Sequence, residues 1–194
     1  MTQPTVTLTK GGNAKAFAEG LKNISKLEVL VGIPEADATR PDISANQTDR
    51  NYDLLARAGK MKAGKRREKI VRVAGQKINN AQLMYVHTNG SPLRGIPARP
   101  VIEPAIQASG NKEHITGELS EAAKSMLDGK RDETIRHLKR AGMEGQNASR
   151  NWFVDSRNGW APNTPETIRR KGSDRPLIDT GELRKSIVYL IKAE

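Results

Sequence analysis

Two stretches of this chain read as β-strands, and they stand far apart. Leu27-Glu-Val-Leu-Val-Gly-Ile33 is rich in β-branched and apolar residues and is stopped by Pro34; Ser186–Ile191 has the same character. What lies between them carries helical periodicity, prolines or dense charge. Two distant strands with helices between predict an α+β domain: a small antiparallel sheet, near 27–33 and 186–191, packed with several helices. The length of 194 residues suits a single domain spanning 1–194.

The apolar set is only 36% of residues and aromatics 4%, so the core is expected to be modest. No apolar run approaches the ~18 residues needed to span a bilayer. The first residues (MTQPTVTLTKGG) do not resemble a signal peptide, so a soluble, cytoplasmic protein without membrane contact is expected. The absence of cysteine excludes disulfides, thiolate zinc sites, iron–sulfur clusters and cysteine nucleophiles.

The net charge of +11 is concentrated in one place. Between Arg57 and Lys77, nine basic residues face one acid, Glu68, so this segment alone carries +8. Lys60, Lys62, Lys65, Arg66, Arg67 and Lys69 are its densest part. With the polar run 34–50 before it, the segment reads as an extended basic arm, 34–77, inserted within the domain. It is either a solvated loop or an electrostatic contact with nucleic acid or an acidic protein surface. No aromatic residue lies between Arg57 and Lys77 to stack on bases, the nearest being Tyr52 and Tyr85, so any nucleic-acid contact is expected to be to phosphates, without sequence preference.

The helical segments follow from spacing. Phe17, Leu21 and Ile24 predict a helix over 13–27, and a second is expected over about 77–88, with Asn89-Gly90 as a left-handed stop. Ser91–Pro100 is expected to be held extended by its prolines. Ile115, Leu119, Ala122 and Met126 form one stripe, closed by Asp128-Gly129. Ile135, Leu138, Ala141, Gly145, Ala148 and Trp152 form another, over 132–155. Small residues on that face serve either core packing or a contact between subunits. Thr164 and Pro165 start a short helix that ends near Gly172. Asp179 is expected to cap another, with Glu182 reaching back to it.

Signs of catalysis are weak. His87, His114 and His137 are 27 and 23 residues apart, without a second histidine at helical spacing. Gly59-Lys-Met-Lys-Ala-Gly-Lys-Arg66 nearly spells a phosphate-binding loop but has Arg66 where a magnesium-binding Ser or Thr belongs. Asp174, Asp179 and Glu182 are the one set a magnesium-dependent nuclease could use, though turn and cap roles account for two of them. A non-enzyme without cofactor or metal is expected.

The tail carries a resemblance. Trp160-x-Pro162, Thr167-x-x-x-Lys171 and Pro176-Leu177-Ile-Asp179-Thr180-Gly181-Glu-Leu183-Arg184, followed by a closing strand, resemble the virion morphogenesis proteins of long-tailed bacteriophages. Val31-Gly-Ile-Pro34, Tyr85-x-His87-x-x-Gly90 and Ile96-Pro97-Ala-Arg99-Pro100 agree in order and spacing. Thr88 departs from the pattern where an acid often stands, and 34–77 has no counterpart. The resemblance implies a structural neck or tail-completion protein joining the tail to the DNA-filled head, assembled in the host cytoplasm. It implies a homo-oligomeric ring, usually six-fold, contacting connector or head-closure and tail terminator or tube proteins. The family supplies no role for the basic arm: packaged DNA in the channel or an acidic neighbour in the neck is its expected partner if it makes a contact, and otherwise it is a solvated loop. Read without the resemblance, the same arm suits a cytoplasmic nucleic-acid-binding protein.

Overall fold

A computed structural model describes residues 14–34 and 79–193. Helix α1 (Ala14–Ile24) leads into β1 (Leu27–Gly32). Then come α2 (Asn80–Asn89), α3 (Ile102–Gln107), α4 (Asn111–Leu127), α5 (Arg131–Asn151), α6 (Pro165–Lys171), α7 (Glu182–Lys185) and β2 (Val188–Ala193). The architecture is α+β. Strands β1 and β2 pair antiparallel, from Leu27 opposite Ala193 to Gly32 opposite Val188.

The centre is the hairpin of α4 and α5. Asp128 and Gly129 (φ 75°) end α4 as their sequence suggests, and so short a link folds α5 back antiparallel. Ala122 and Met126 from α4 and Leu138, Ala141 and Ala148 from α5 are buried. Leu119 departs from its expected stripe and stays 38% exposed. Across the seam, Glu118 Oε2 lies 2.6 Å from His137 Nδ1. Helix α1 packs on α4, where Gly20 lies against the backbone of Met126 and Leu127.

The sheet covers the other side of α5, and the small residues of that helix make the contact. Gly142 lies beneath the ring of Tyr189, and a Cβ at Gly145 would come within 2.9 Å of Val31 Cγ2. Of the two uses open to that face, core packing is the one found within the chain. Gln146 Oε1 accepts the Tyr189 amide at 3.0 Å, so α5 also closes part of the β2 edge.

Several boundaries differ from expectation. Helix α2 starts where Asn79 and Gln82 form a reciprocal capping box. Gly90 has φ 72° but ψ 178°, a glycine conformation other than the left-handed helical one. Ser91–Pro100 is not simply extended: Pro92–Arg94 make a 3-10 turn, closed by a bridge between Ser91 and Ile96. Helix α5 ends at Asn151, and Asp155 instead caps a second 3-10 turn, Ser156–Asn158. The basic arm and the near phosphate-binding loop lie outside the described residues, apart from Pro34.

Candidate functional site

The described sequence offers Arg99, Trp160, Pro162, Lys171, Leu177 and Leu183 from three separated stretches, and the fold brings them to one place. Arg99 is the centre. Its residue is 7% exposed, and its guanidinium ends on backbone oxygens. Nε–H and Nη2–H donate to Ala161 O at 3.1 and 2.8 Å, and Nη2–H also to Pro162 O at 3.1 Å. The Arg99 amide donates to His87 O at 2.6 Å, tying α2 to the same clamp. Trp160 returns the tie, its indole N–H donating to Pro100 O at 3.0 Å.

Beneath this polar knot lies the apolar cluster of Met84, Val101, Ala105, Trp152, Phe153, Leu183 and Ile187. Leu177 and Trp160 pack against it half-buried, and Trp160 meets Phe153 edge to face at 5.8 Å. Leu177 has φ 58°, a left-handed conformation that costs a side-chain-bearing residue on the order of 1 kcal/mol. Its packing against the core holds it there.

The electrostatics are one-sided. Lys171 Nζ–H donates to Arg175 O at 2.8 Å. Burial lowers the Lys171 pKa below the ordinary lysine value; Asp179 opposes this, while Arg99 and Arg170 add to it. Burial also pulls the Arg99 guanidinium below its usual value. His87, facing Arg99 and Lys171, is pushed down from 6.5 to about 4, first by burial and then by those two cations. Its Nδ1 is buried without a protein hydrogen-bond partner. The imidazole is therefore neutral at physiological pH.

The remaining motif residues shape the turns. The Thr164 hydroxyl accepts the Thr167 amide at 3.3 Å and donates to the Thr167 hydroxyl at 2.9 Å, capping α6 as the sequence indicates. Asp179 is not a cap, contrary to expectation. Helix α7 begins later, with Gly181 (φ 81°) at the cap position and the Thr180 hydroxyl accepting the Glu182 amide at 3.4 Å. Glu182 pairs forward with Lys185 at 3.1 Å and does not reach back. Pro97 and Pro100 are exposed. Among the described residues no three His, Asp or Glu side chains are grouped so as to hold a metal ion, Asp174, Asp179 and Glu182 included. No helix among them is long and apolar enough to cross a membrane.

Two further arginines act as Arg99 does: Arg184, which closes the tail motif, and Arg150, which sequence reading passed over. Arg150 donates to Ile187 O at 3.0 Å and Lys185 O at 2.9 Å, and Arg184 Nε–H donates to Arg150 O at 2.7 Å. Guanidinium forks suit this task because one side chain satisfies carbonyls that diverge at a chain end. Beside the Arg99 knot, an apolar pocket of about 420 Å³ opens between Thr88, Pro100, Ile102, Glu103, Ile106 and Gln107. Thus the motif residues build a positioning scaffold with a pocket at its edge. Comparison with family models, curated proteins and solved structures finds no match to this chain.

Proposed function

We propose that this protein is a structural component of a bacteriophage neck, a tail-completion protein that assembles with itself and with connector and tail proteins where head and tail join. One observation carries the reading. Among the residues that bear the resemblance to virion morphogenesis proteins, Arg99, Pro100, Trp160, Pro162, Leu177 and Leu183, from separated stretches, meet at the Arg99 knot and the core beneath it. Their roles there are clamping, packing and turn formation, the work of a scaffold for assembly.

Disrupting the gene in its phage and viewing the lysate by electron microscopy tests this. DNA-filled heads beside unattached tails are expected; intact, joined particles would refute it. The basic segment gives the experiment a second arm. If Lys60, Lys62, Lys65, Arg66 and Arg67 are neutralised, failure of joining assigns the segment to docking on an acidic neighbour. Joined particles with altered DNA retention assign it to the channel, and fully infectious particles make it a solvated loop.

The charge of that segment also supports a second reading, a cytoplasmic protein that binds nucleic acid through phosphates. Stable complexes with DNA of any sequence, lost steeply as salt rises, together with normal particles after disruption, would favour it.

A further inference from the structure

Asparagine followed by glycine has a chemistry of its own. The glycine nitrogen, with no β-carbon beside it to obstruct the approach, can give up its proton and attack the carboxamide carbon of the asparagine. A bond forms between that nitrogen and Cγ, the bond from Cγ to Nδ2 breaks, and the leaving nitrogen takes up the proton and departs as ammonia. Water then opens the succinimide ring at either carbonyl, leaving aspartate or the β-linked isoaspartate. The chain contains the pair twice, at Asn89-Gly90 and at Asn158-Gly159.

The fold treats the two pairs differently. At Asn158 both ends of the carboxamide are held: Nδ2–H donates to Trp152 O at 3.1 Å, and Oδ1 accepts the Trp160 amide at 3.1 Å. Trp160 is fixed in turn by its bond to Pro100 O and its edge-to-face contact with Phe153. Closing the ring at this half-buried residue means releasing both bonds. Asn89 is the exposed last residue of α2, and its carboxamide makes a single bond, from Nδ2–H to Tyr85 O at 2.9 Å. That bond lies in the terminal turn of its own helix, the part that frays first. Among the described residues neither the Gly90 nor the Gly159 amide donates a hydrogen bond, so both nucleophiles are available and the difference lies in the carboxamides.

We propose that Asn89 is a site of spontaneous modification in this protein, closing onto Gly90 and hydrolysing to aspartate and isoaspartate, while the fold protects Asn158 from the same reaction. The position gives the reaction a structural consequence. A Cβ on Gly90 would meet Ala98 N at 2.8 Å and Ile96 O at 2.9 Å, so the chain there is closely fitted. Isoaspartate lengthens the main chain by a methylene immediately before that glycine. Either product also puts a negative charge at the C-terminal end of α2, where the helix dipole opposes it. Two residues earlier, His87 O accepts the Arg99 amide at 2.6 Å, so ageing at Asn89 loosens the tie between α2 and the Arg99 clamp. The inference concerns the chain alone and does not depend on the neck reading.

The test incubates the purified full chain in mildly alkaline buffer, with a parallel sample unfolded in urea. Tryptic peptides are then followed by mass spectrometry and by methylation with an isoaspartyl methyltransferase. Trypsin cuts after Arg94 and Arg157, so Asn89 and Asn158 fall in different peptides. In the folded chain, conversion at Asn89 is expected to be about tenfold faster than at Asn158, the effect of one additional hydrogen bond to be broken. In urea the two rates should converge. Equal rates in the folded chain, faster conversion at Asn158, or no conversion at Asn89 while the unfolded sample reacts would each overturn the proposal. Asn89→Gln, which lengthens the side chain and removes the five-membered ring closure, should abolish isoaspartate in its peptide and leave Asn158 unchanged. Isoaspartate persisting in that peptide would place the reaction at another asparagine and overturn the assignment.

Discussion

Gly142 lies directly beneath the ring of Tyr189, with no room for a β-carbon between helix α5 and strand β2. The sheet approaches the helix this closely because the residue facing the ring has no side chain. Gly142→Ala is therefore expected to destabilise the fold by about 1–3 kcal/mol, the cost of overpacking outweighing the better helix propensity of alanine. Gly145→Ala meets closely just a methyl group of Val31, with Ile115 Cδ1 at ordinary contact distance, and should cost less. Gly117 on α4 has open space around it, so Gly117→Ala should stabilise by about 0.5–1 kcal/mol. Urea denaturation of the three variants checks the order.

Arg99 holds the turn at Ala161 and Pro162 by three hydrogen bonds from one fork. Arg99→Ala leaves those carbonyls unpaired and should cost about 2–3 kcal/mol. Arg99→Lys should recover only part of this, because a single ammonium cannot reproduce the fork. Chemical denaturation measures both, and full rescue by lysine would contradict the clamp.

His87 makes stability depend on acid. Its folded pKa, about 4, lies below the unfolded 6.5, so the unfolded chain binds more protons between those values. The contribution is complete above pH 6.5 and is lost as pH falls toward 4. The loss should be about 2 kcal/mol, less than the whole shift implies because the ring keeps some solvent contact. Thermal melts from pH 7 to 4 should decline, and His87→Gln should flatten the decline. An NMR titration of the His87 ring near pH 6.5 would refute the assignment.

Asp179 and Thr180 separate two accounts of one turn. Since Thr180 and Gly181 start α7, Asp179→Ala at an exposed position should change stability by less than about 0.5 kcal/mol. Gly181→Ala, which forces φ 81° on a residue with a β-carbon, should cost about 1 kcal/mol or more. Equilibrium unfolding of both variants decides, and the reverse order would restore Asp179 as the cap.

The parts of the fold visible in sequence are those written in local chemistry. Thr164-Pro165 capped a helix as read, and Asp128-Gly129 ended one. The paired strands and the buried stripe of α5 were legible for the same reason: period and residue type act over a few neighbours. What escaped depends on partners distant in the chain. The role of Arg99 is set by Ala161, and that of Arg150 by Ile187, and neither spacing has a signature. At Asp179 two plausible caps competed, and the left-handed glycine two residues on won. The motif residues could be picked out by resemblance; that they enclose a neutral histidine among cations could not.

Strand β1 finds its partner only when β2 has been made, since Leu27 pairs with Ala193 and Gly32 with Val188. On the ribosome the helical hairpin of α4 and α5, built from near neighbours, can form while β1 still waits. Any product broken off before Val188 therefore carries helices together with an unsatisfied strand bearing Val29 and Val31, the kind of edge that aggregates or invites proteolysis. The pairing register therefore ties the satisfaction of β1 to synthesis through β2, nearly the whole described length of the chain away.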